Sequence, residues 1–279
     1  MTYSVIDNII GGKIFIFIFE TLKVHTFIEP VFGTCTYILE GCNKLMIIDT
    51  FHTLAANYAL IDYATSLNKP ISSVILSNSH PAHYAGLYLY EQSVPIYALQ
   101  STINRMKEEG QTFPLVTFLK DQLVKKLRYP DNEIIHETSL VFDNIKLEFM
   151  AVGTKLLIWI PEYKLIFGQD IFFNNYHAYI PSTIDKLNKW IKVLNNFYVY
   201  ANPSIIFSGH GAPIVCAKNS HLQYYKEMIN YLTFVHNLLS TKDPKLTKDQ
   251  YVKILTQQYN NYCGIDIVEY YLNEYFTTV

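Results

Sequence analysis

Two histidines, His80 and His83, lie in the stretch SNSHPAHYAG, which follows the apolar run SSVIL. Further along the chain, Asp170 ends the sequence FGQD and His210 lies in SGHG, each after a run typical of a buried strand. Two imidazoles and a carboxylate form a competent ligand set for zinc or iron, and they leave positions open for water. These four residues are therefore candidates for a metal site.

The segments around these residues predict an α/β protein. Runs of β-branched and aromatic residues predict strands at 15–19, 36–39, 44–49 and 72–77, with the tight turn EGCN joining the second and third. Helical spacing of apolar residues predicts a helix over 53–67 with Thr53 as its N-cap. Further helices are expected from His83 to about Gln92 and over 101–109, separated by the short strand PIYAL. Polar residues at the carboxyl ends of such strands are where α/β proteins place their sites.

The second half of the chain continues this pattern and then becomes helical. Residues 111–130 are expected to form a helical insertion, 139–168 to return to strands, 182–195 to form a helix and 204–208 a strand. From about 219 the pattern is helical to the end, with Thr247 and Asp266 as expected caps. We expect one domain over 1–218 and a helical C-terminal extension over 219–279 that packs on it. A role of this extension in a dimer contact stays open.

Composition argues against several classes of function. The 279 residues are 50% apolar, which suffices for a large core. Basic and acidic side chains number 22 and 24, so the positive excess that drives non-specific nucleic-acid binding is missing. The apolar run IFIFIF is far shorter than the roughly 20 residues of a membrane span. The four cysteines, Cys35, Cys42, Cys216 and Cys263, lack disulfide-framework spacing, and no secretion signal is visible, so a reducing, cytoplasmic compartment is expected.

The order of these landmarks over roughly residues 33–230 resembles the metallo-β-lactamase superfamily, whose members are mostly zinc-dependent hydrolases. The hairpin TYILEGCNKLMIIDT, the histidine loop, PEYKLIFGQD and IIFSGHG occur in the family's order. The resemblance implies a four-layer αββα sandwich, here with an N-terminal strand extension and the helical C-terminal extension. It also implies that Asp49 supports the histidine loop.

The family's ligand motif is only partly present. Aligned on HxHxDH, Asn78 takes the first histidine position, His80 the second, Ala82 the aspartate and His83 the last. Asp170 matches the bridging aspartate and His210 the final histidine. The histidine of the family's GHT-like turn falls on Ala151, so four of seven ligand positions remain.

The losses are uneven between the two metal positions. The first would keep only His80 and Asp170, which is too few for tight zinc binding. The second would keep His83, Asp170 and His210. The pair Asn78 and His80 resembles the NxH pattern of family lactamases that work with one metal, although those enzymes retain the aspartate and the GHT histidine that this chain lacks.

Each candidate also has a purely structural interpretation. His80 or His83 alone is more often a hydrogen-bonded histidine, His210 between glycines could serve a turn, and Asp170 could cap the next segment. His52 and His177 follow landmark strands and could approach the cleft, but a structural role is favoured for both. A serine nucleophile at Ser77, Ser79 or Ser208 is remote because no GxSxG elbow is present.

Two functional hypotheses follow. The favoured one is a hydrolase-like protein with a degenerate active site and at most one bound zinc or iron, which could use the fold to bind a small molecule or a protein. The alternative is an active mononuclear hydrolase of an ester, lactone or thioester, with His83, Asp170 and His210 as ligands. In that enzyme His80 would be an additional ligand or a catalytic proton shuttle, and 111–130 would form a wall of the pocket. A nuclease is a third option, and neither nucleic acid nor membrane is expected as a partner. The oligomeric state, including a homodimer, stays open.

Overall fold

Two β-sheets account for most of the regular structure in this computed structural model. It describes residues 2–7, 12–30, 32–109, 127–179, 181, 183–200, 202–216, 220–240, 246–269 and 272. The first sheet has eight strands arranged in chain order. They are β1 (Thr2–Asp7), β2 (Lys13–Ile18), β3 (Lys23–Ile28), β4 (Cys35–Glu40), β5 (Leu45–Ile48), β6 (Ile71–Ile75), β7 (Ile96–Leu99) and β8 (Asn132–Ile134).

Strand direction changes in the middle of this sheet. Strands β1 to β5 pair antiparallel through short connections, including the predicted EGCN turn. From β5 to β8 the pairing is parallel, because helices carry the chain back between strands. The carboxyl ends of β5 and β6 therefore lie at one edge, where Asp49 and the histidine loop follow them.

The second sheet has six strands in the order β14-β13-β12-β11-β10-β9. Only β12 and β13 pair in parallel, and the other neighbours are antiparallel. The strands are β9 (Ser139–Phe142), β10 (Ile145–Val152), β11 (Lys155–Ile160), β12 (Leu165–Phe173), β13 (Ile205–His210) and β14 (Ile214–Val215).

Six helices flank the sheets in the described part of the chain, besides a short 3-10 turn at Leu87–Leu89 and a short helical segment at 265–269. They are α1 (Leu54–Ser66), α2 (Pro81–Tyr84), α3 (Gln100–Glu109), α4 (Ile184–Tyr200), α5 (Ser220–Ser240) and α6 (Lys248–Gln258).

Three hydrophobic cores separate four layers. Leu60 of α1 and Met106 of α3 pack with Ile47 on the outer face of the first sheet. Side chains from the facing surfaces of both sheets form a second core. Helices α4, α5 and α6 cover the outer face of the second sheet in a third. Where a strand is covered on both faces, as β5 and β11 are, it is almost continuously apolar. The expected four-layer αββα sandwich with a helical C-terminal part is thus confirmed.

Several local expectations need correction. The helix expected from His83 to about Gln92 is wrong, because the chain forms only α2 and the separate turn at Leu87–Leu89. Asp266 is not an N-cap, since it lies inside the helical segment 265–269. The helical insertion predicted at 111–130 falls outside the described residues up to 126, and 127–130 have no regular structure.

Other expectations are confirmed. Thr53 accepts a hydrogen bond from Ala56 N as the N-cap of α1. Thr247 forms a capping box with Gln250 at the start of α6. Among the described helices, none has the length and apolar character needed to cross a membrane.

Candidate functional site

Asp49 directly follows β5, and its side chain is hydrogen-bonded to the histidine loop. It is fully buried and has a positive φ of 63°, which turns its side chain toward the end of β6. Its carboxylate accepts hydrogen bonds from Ser77 N at 2.7 Å and from the Ser77 hydroxyl at 2.6 Å. His83 Nδ1 donates to Asp49 Oδ2 at 2.9 Å. Asp49 therefore sets the orientation of the His83 ring, which agrees with the supporting role that the family resemblance implies.

His83 lies between two carboxylates. Its Nε2 is 3.3 Å from Asp170 Oδ2, on the opposite side of the ring from Asp49. Burial lowers the pKa of His83, but the charges of Asp170 and Asp49 outweigh it and raise the pKa to about 10. A metal ion at Nε2 would have to displace a proton held by this pair.

A local distortion of β12 presents Asp170 to the cleft. Gln169 has a φ of 43°, and the pairing of β12 with β13 shifts register on both sides of it. The neighbouring strand approaches closely at Gly209, where a Cβ atom would lie 2.7 Å from Asp170 N. The bulge and this glycine together explain why Asp170 leaves the regular alternation of the strand.

The two oxygens of Asp170 have different surroundings. Oδ2 is close to His83 Nε2, to Asn78 Nδ2 at 3.2 Å and to Lys155 Nζ at 3.7 Å. Oδ1 is buried without a hydrogen-bond partner, and it faces His210 Nε2 at 3.6 Å. Burial raises the pKa of Asp170, but the charges of His83 and Lys155 outweigh burial and hold the pKa well below its usual range. Asp170 is therefore an anion with one oxygen open to a further ligand.

His210 is fixed at the end of β13. Its Nδ1 donates to Phe32 O at 2.8 Å, and its ring stacks on Phe173 with 4.9 Å between centroids. These contacts direct Nε2 toward Asp170. His210 thus shows a pattern that is common among metal-binding histidines, in which one ring nitrogen is held by an oxygen acceptor and the other is available. In His83 the second nitrogen instead faces Asp170 Oδ2.

His80 begins α2. Its Nδ1 accepts a hydrogen bond from Ala82 N at 3.3 Å as the N-cap, so the ring proton resides on Nε2. Burial lowers the pKa of His80 to about 3, and the nearby charge of His83 adds to this effect. His80 is therefore a neutral imidazole near neutral pH, with its ring centre 6.3 Å from that of His83.

The replacements at family ligand positions have structural roles of their own. The Asn78 amide donates to Asp170, and its Oδ1 accepts from His80 N at 2.7 Å. Ala82 lies in α2, where its backbone N–H is capped by His80. Ala151 lies in β10 opposite Leu156, and its N–H donates to His136 Nδ1 at 2.9 Å.

Lys155 belongs to the site although no motif singled it out. It begins β11 after the turn at Gly153, and its Nζ donates to Asp170 O at 3.2 Å. The same ammonium group lies 3.8 Å from the centre of the Tyr179 ring. The sequence carries one signal for this residue, which is that a lysine begins a strand directly after a glycine turn. Only the folded structure brings that lysine close to Asp170.

The other two histidines that follow landmark strands differ from each other. His177 is fully buried, and its Nδ1 lies 3.1 Å from the hydroxyl of Tyr231 on α5, so it belongs to the helical layer. His52 packs against Phe32 at 5.2 Å, and both of its ring nitrogens are buried without a hydrogen-bond partner. Burial lowers the pKa of His52 to about 4, with smaller contributions from the charges of His83 and His210. His52 therefore lies at the margin of the cleft as a neutral imidazole.

Two of the three serines considered as nucleophiles donate their hydroxyl hydrogen bonds to groups other than a histidine ring. The Ser77 hydroxyl donates to Asp49, and the Ser208 hydroxyl donates to the backbone carbonyls of His210 and Gly211. These contacts give both serines a structural role.

The candidate ligands would have to rearrange to hold a metal ion. In the described ranges, no three His, Cys, Asp or Glu side chains already converge as a metal-binding group. Binding at His83, Asp170 and His210 would therefore require these side chains to draw closer around the ion. The unpartnered Oδ1 of Asp170 and the available Nε2 of His210 are suitable ligand atoms for such an ion. The Oδ2 side is filled by an amide and an ammonium group.

Comparison with known proteins bears on the fold. No protein-family model matches the chain, and no curated protein matches it in sequence. Solved structures do match. A metallo-β-lactamase family protein from Thermus thermophilus has a TM-score of 0.67 at 16% identity, over 91% of this chain and 94% of that protein. A metallo-β-lactamase from Pontibacter korlensis has a TM-score of 0.58 at 15% identity, over 83% and 99% of the two chains.

A third match is a larger enzyme. The stereoselective inverting sec-alkylsulfatase Pisa1 from Pseudomonas sp. has a TM-score of 0.60 at 17% identity over 82% of this chain. The present chain spans 43% of the length of that sulfatase. Together with the two sheets, the histidine loop and the order of the landmarks, these likenesses show that the chain has the metallo-β-lactamase fold.

Proposed function

We propose that this chain is a hydrolase-like protein with a degenerate active site, which holds at most one zinc or iron ion at His83, Asp170 and His210. The observation that carries the proposal is the asymmetry of Asp170. Its Oδ1 faces His210 without a hydrogen bond, whereas its Oδ2 is surrounded by Asn78, His83 and Lys155. Only one side of the carboxylate remains available to a metal ion.

Three family ligands are replaced by Asn78, Ala82 and Ala151, and none of these is a strong zinc ligand. Loss of a residue that merely supports a ligand already costs about 10- to 100-fold in metal affinity or activity. Losing three direct ligands should cost more. The two-metal reaction is therefore not expected, and the cleft is proposed to bind a small molecule or a protein.

The test of this proposal is metal content. The protein should be purified without chelator, supplied with zinc or iron, desalted and measured by inductively coupled plasma mass spectrometry. About one ion per chain is expected, and His83→Ala should lose it because the Asp49–His83–Asp170 arrangement is broken. His236→Ala removes a partly exposed histidine of α5 and should retain the ion. Two ions per chain, or an ion retained in His83→Ala, would contradict the proposed site.

A second candidate is an active mononuclear hydrolase of an ester, lactone or thioester. The observation that favours it is the fixed orientation of His83 and His210, whose Nδ1 atoms are bound by Asp49 and by Phe32 O. A zinc ion would supply a bound water with a pKa of about 7. His83 and His210 would orient the ion, and Asp170 would balance its charge. His80, neutral with a pKa of about 3, would donate a hydrogen bond from Nε2 more readily than it would accept a proton.

Turnover assays distinguish the two candidates. A panel of ester, lactone and thioester substrates should include a secondary alkyl sulfate, because one solved structure of similar fold is an alkylsulfatase. Saturable turnover that needs the metal and is lost in His210→Ala would establish the second candidate. Absence of turnover in protein that retains one ion would support the first.

A further inference from the structure

Lys155 is held rigidly beside the candidate metal ligands. Its Nζ donates to Asp170 O at 3.2 Å and lies 3.7 Å from Asp170 Oδ2, so it contacts the residue at two points. The ammonium group also lies over the Tyr179 ring at 3.8 Å and 5.8 Å from the centre of the Trp190 ring. A cation on an aromatic face is attracted by the ring quadrupole. Four contacts therefore fix a side chain that is normally flexible.

The aromatic rings around Lys155 are fixed as well. Tyr179 and Trp190 stack with 4.9 Å between centroids, and Trp190 Nε1 donates to Ile171 O at 3.1 Å. Ile171 directly follows Asp170 in β12. The lysine, its aromatic support and the carboxylate thus form one connected unit spanning β11, β12 and α4.

The ammonium group of Lys155 lies beside the oxygen of Asp170 to which a second metal ion would bind. In this cleft the bridging carboxylate has one oxygen toward His210 and the other toward Lys155 and Asn78. An ion bound through Oδ2 would approach an ammonium group that is 3.7 Å from the same oxygen. Like charges at such separations repel strongly in a partly buried site. The side chain of Lys155 is 19% exposed, so solvent screens this repulsion only in part.

We propose that Lys155 is a built-in cation that takes the place of one metal charge beside Asp170 and thereby restricts the cleft to a single metal ion. This inference rests on the proposed single-metal function. Lys155 is a positioning residue that acts through Asp170. Asn78 completes the arrangement by donating its amide to the same oxygen.

The experiment compares zinc binding in the wild type, Lys155→Met and Lys155→Arg, by competition with a chromophoric chelator. Methionine keeps the length of the side chain but removes its charge, so the affinity for zinc should rise roughly tenfold or more. Arginine keeps the charge and should leave the affinity near that of the wild type. Lys146→Met is the matched control, because Lys146 is an exposed lysine on the neighbouring strand β10.

The outcomes separate this inference from the proposed function. If the wild type binds one ion and Lys155→Met binds zinc no more tightly, the inference is overturned and the single-metal site stands. If Lys155→Met and Lys155→Arg both change affinity equally, packing and not charge is responsible, and the inference is again overturned.

A metal-independent readout covers the case in which neither protein binds zinc. That outcome is compatible with a site that holds at most one ion, but it overturns the role of Lys155 in restricting the cleft to a single ion. Thermal unfolding in chelator should show that Lys155→Met lowers Tm in the wild-type background and lowers it less in the Asp170→Asn background, because the charge that Lys155 balances is then gone. Equal decreases in both backgrounds would overturn the role of Lys155 as the partner of Asp170.

Discussion

At the scale of single residues, Asp49 organises the histidine loop. It accepts two hydrogen bonds from Ser77 and one from His83, and no part of it is exposed. Replacing one partner of a buried ion pair leaves the other uncompensated. We expect Asp49→Ala to lower the free energy of unfolding by about 3–5 kcal/mol, measured by urea denaturation with chelator present.

Asp62→Ala is a suitable control for this measurement, because Asp62 is exposed in the middle of α1. Its effect should stay within about 0.5 kcal/mol. If Asp49→Ala were as mild as the control, the loop would not depend on Asp49 for its position.

The site also shows which of its residues the sequence could identify. Three of them, His83, Asp170 and His210, stand in strand-end motifs whose order resembles a known family, so they could be proposed as candidates before the fold was known. Lys155 could not, because its role depends on the bulge at Gln169 and on rings contributed by residues well downstream. Long-range contacts of this kind leave no periodic trace in a sequence.

At the scale of elements, strands were easier to predict than short helices. Runs such as KLLIWI are apolar on both faces, and they match β11 residue for residue. The stretch after His83 carries apolar residues at helical spacing, yet the chain breaks at Gly86. A Cβ atom at Gly86 would clash with Asn57 Oδ1, so the turn is packed directly against α1. Tertiary packing at this glycine overrides the local pattern.

A charged network joins β3, β4 and the turn before β6. Glu40 is buried, and its carboxylate binds Lys69 Nζ at 2.8 Å, His25 Nε2 at 2.9 Å and Lys23 Nζ at 3.2 Å. Burial raises the pKa of Glu40, but the hydrogen bonds from Lys69, His25 and Lys23 together outweigh it and lower the pKa from 4.5 to about 2. The network therefore stabilises the fold as long as Glu40 is ionised.

This lowered pKa gives a pH dependence with a definite sign. Glu40 contributes its full stabilisation above its unfolded pKa of 4.5 and loses it as the pH falls toward 2. Glu40→Gln should therefore lower the free energy of unfolding near neutral pH by up to about 3 kcal/mol, and the difference from the wild type should shrink below that unfolded pKa. Urea denaturation across this acidic range provides the measurement. A difference that is constant with pH would show that Glu40 acts through packing alone.

At the scale of the whole molecule, the C-terminal helices share a core with the second sheet. Tyr225 of α5 and Leu255 of α6 belong to the same apolar cluster as Ile206 of β13 and Trp190 of α4. The predicted division into 1–218 and a packed extension therefore describes chain order, and we expect no thermodynamic boundary between the two parts. The cleft residue Asp170 lies on β12, which this helical layer covers.

Because the C-terminal helices and the second sheet share one core, we expect the protein to unfold in a single transition. Leu255 is 1% exposed, and Leu255→Ala should lower the free energy of unfolding by about 2–5 kcal/mol through a cavity in the shared core. Lys253→Ala, at an exposed position of the same helix, should change it by less than about 0.5 kcal/mol. Far-ultraviolet circular dichroism and fluorescence of the two tryptophans, Trp159 of β11 and Trp190 of α4, should give coincident denaturation curves for the wild type and both variants. An earlier loss of helical signal in Leu255→Ala, with the tryptophan signal unchanged, would mean that α6 unfolds apart from the sheet and that the extension is a separate unit.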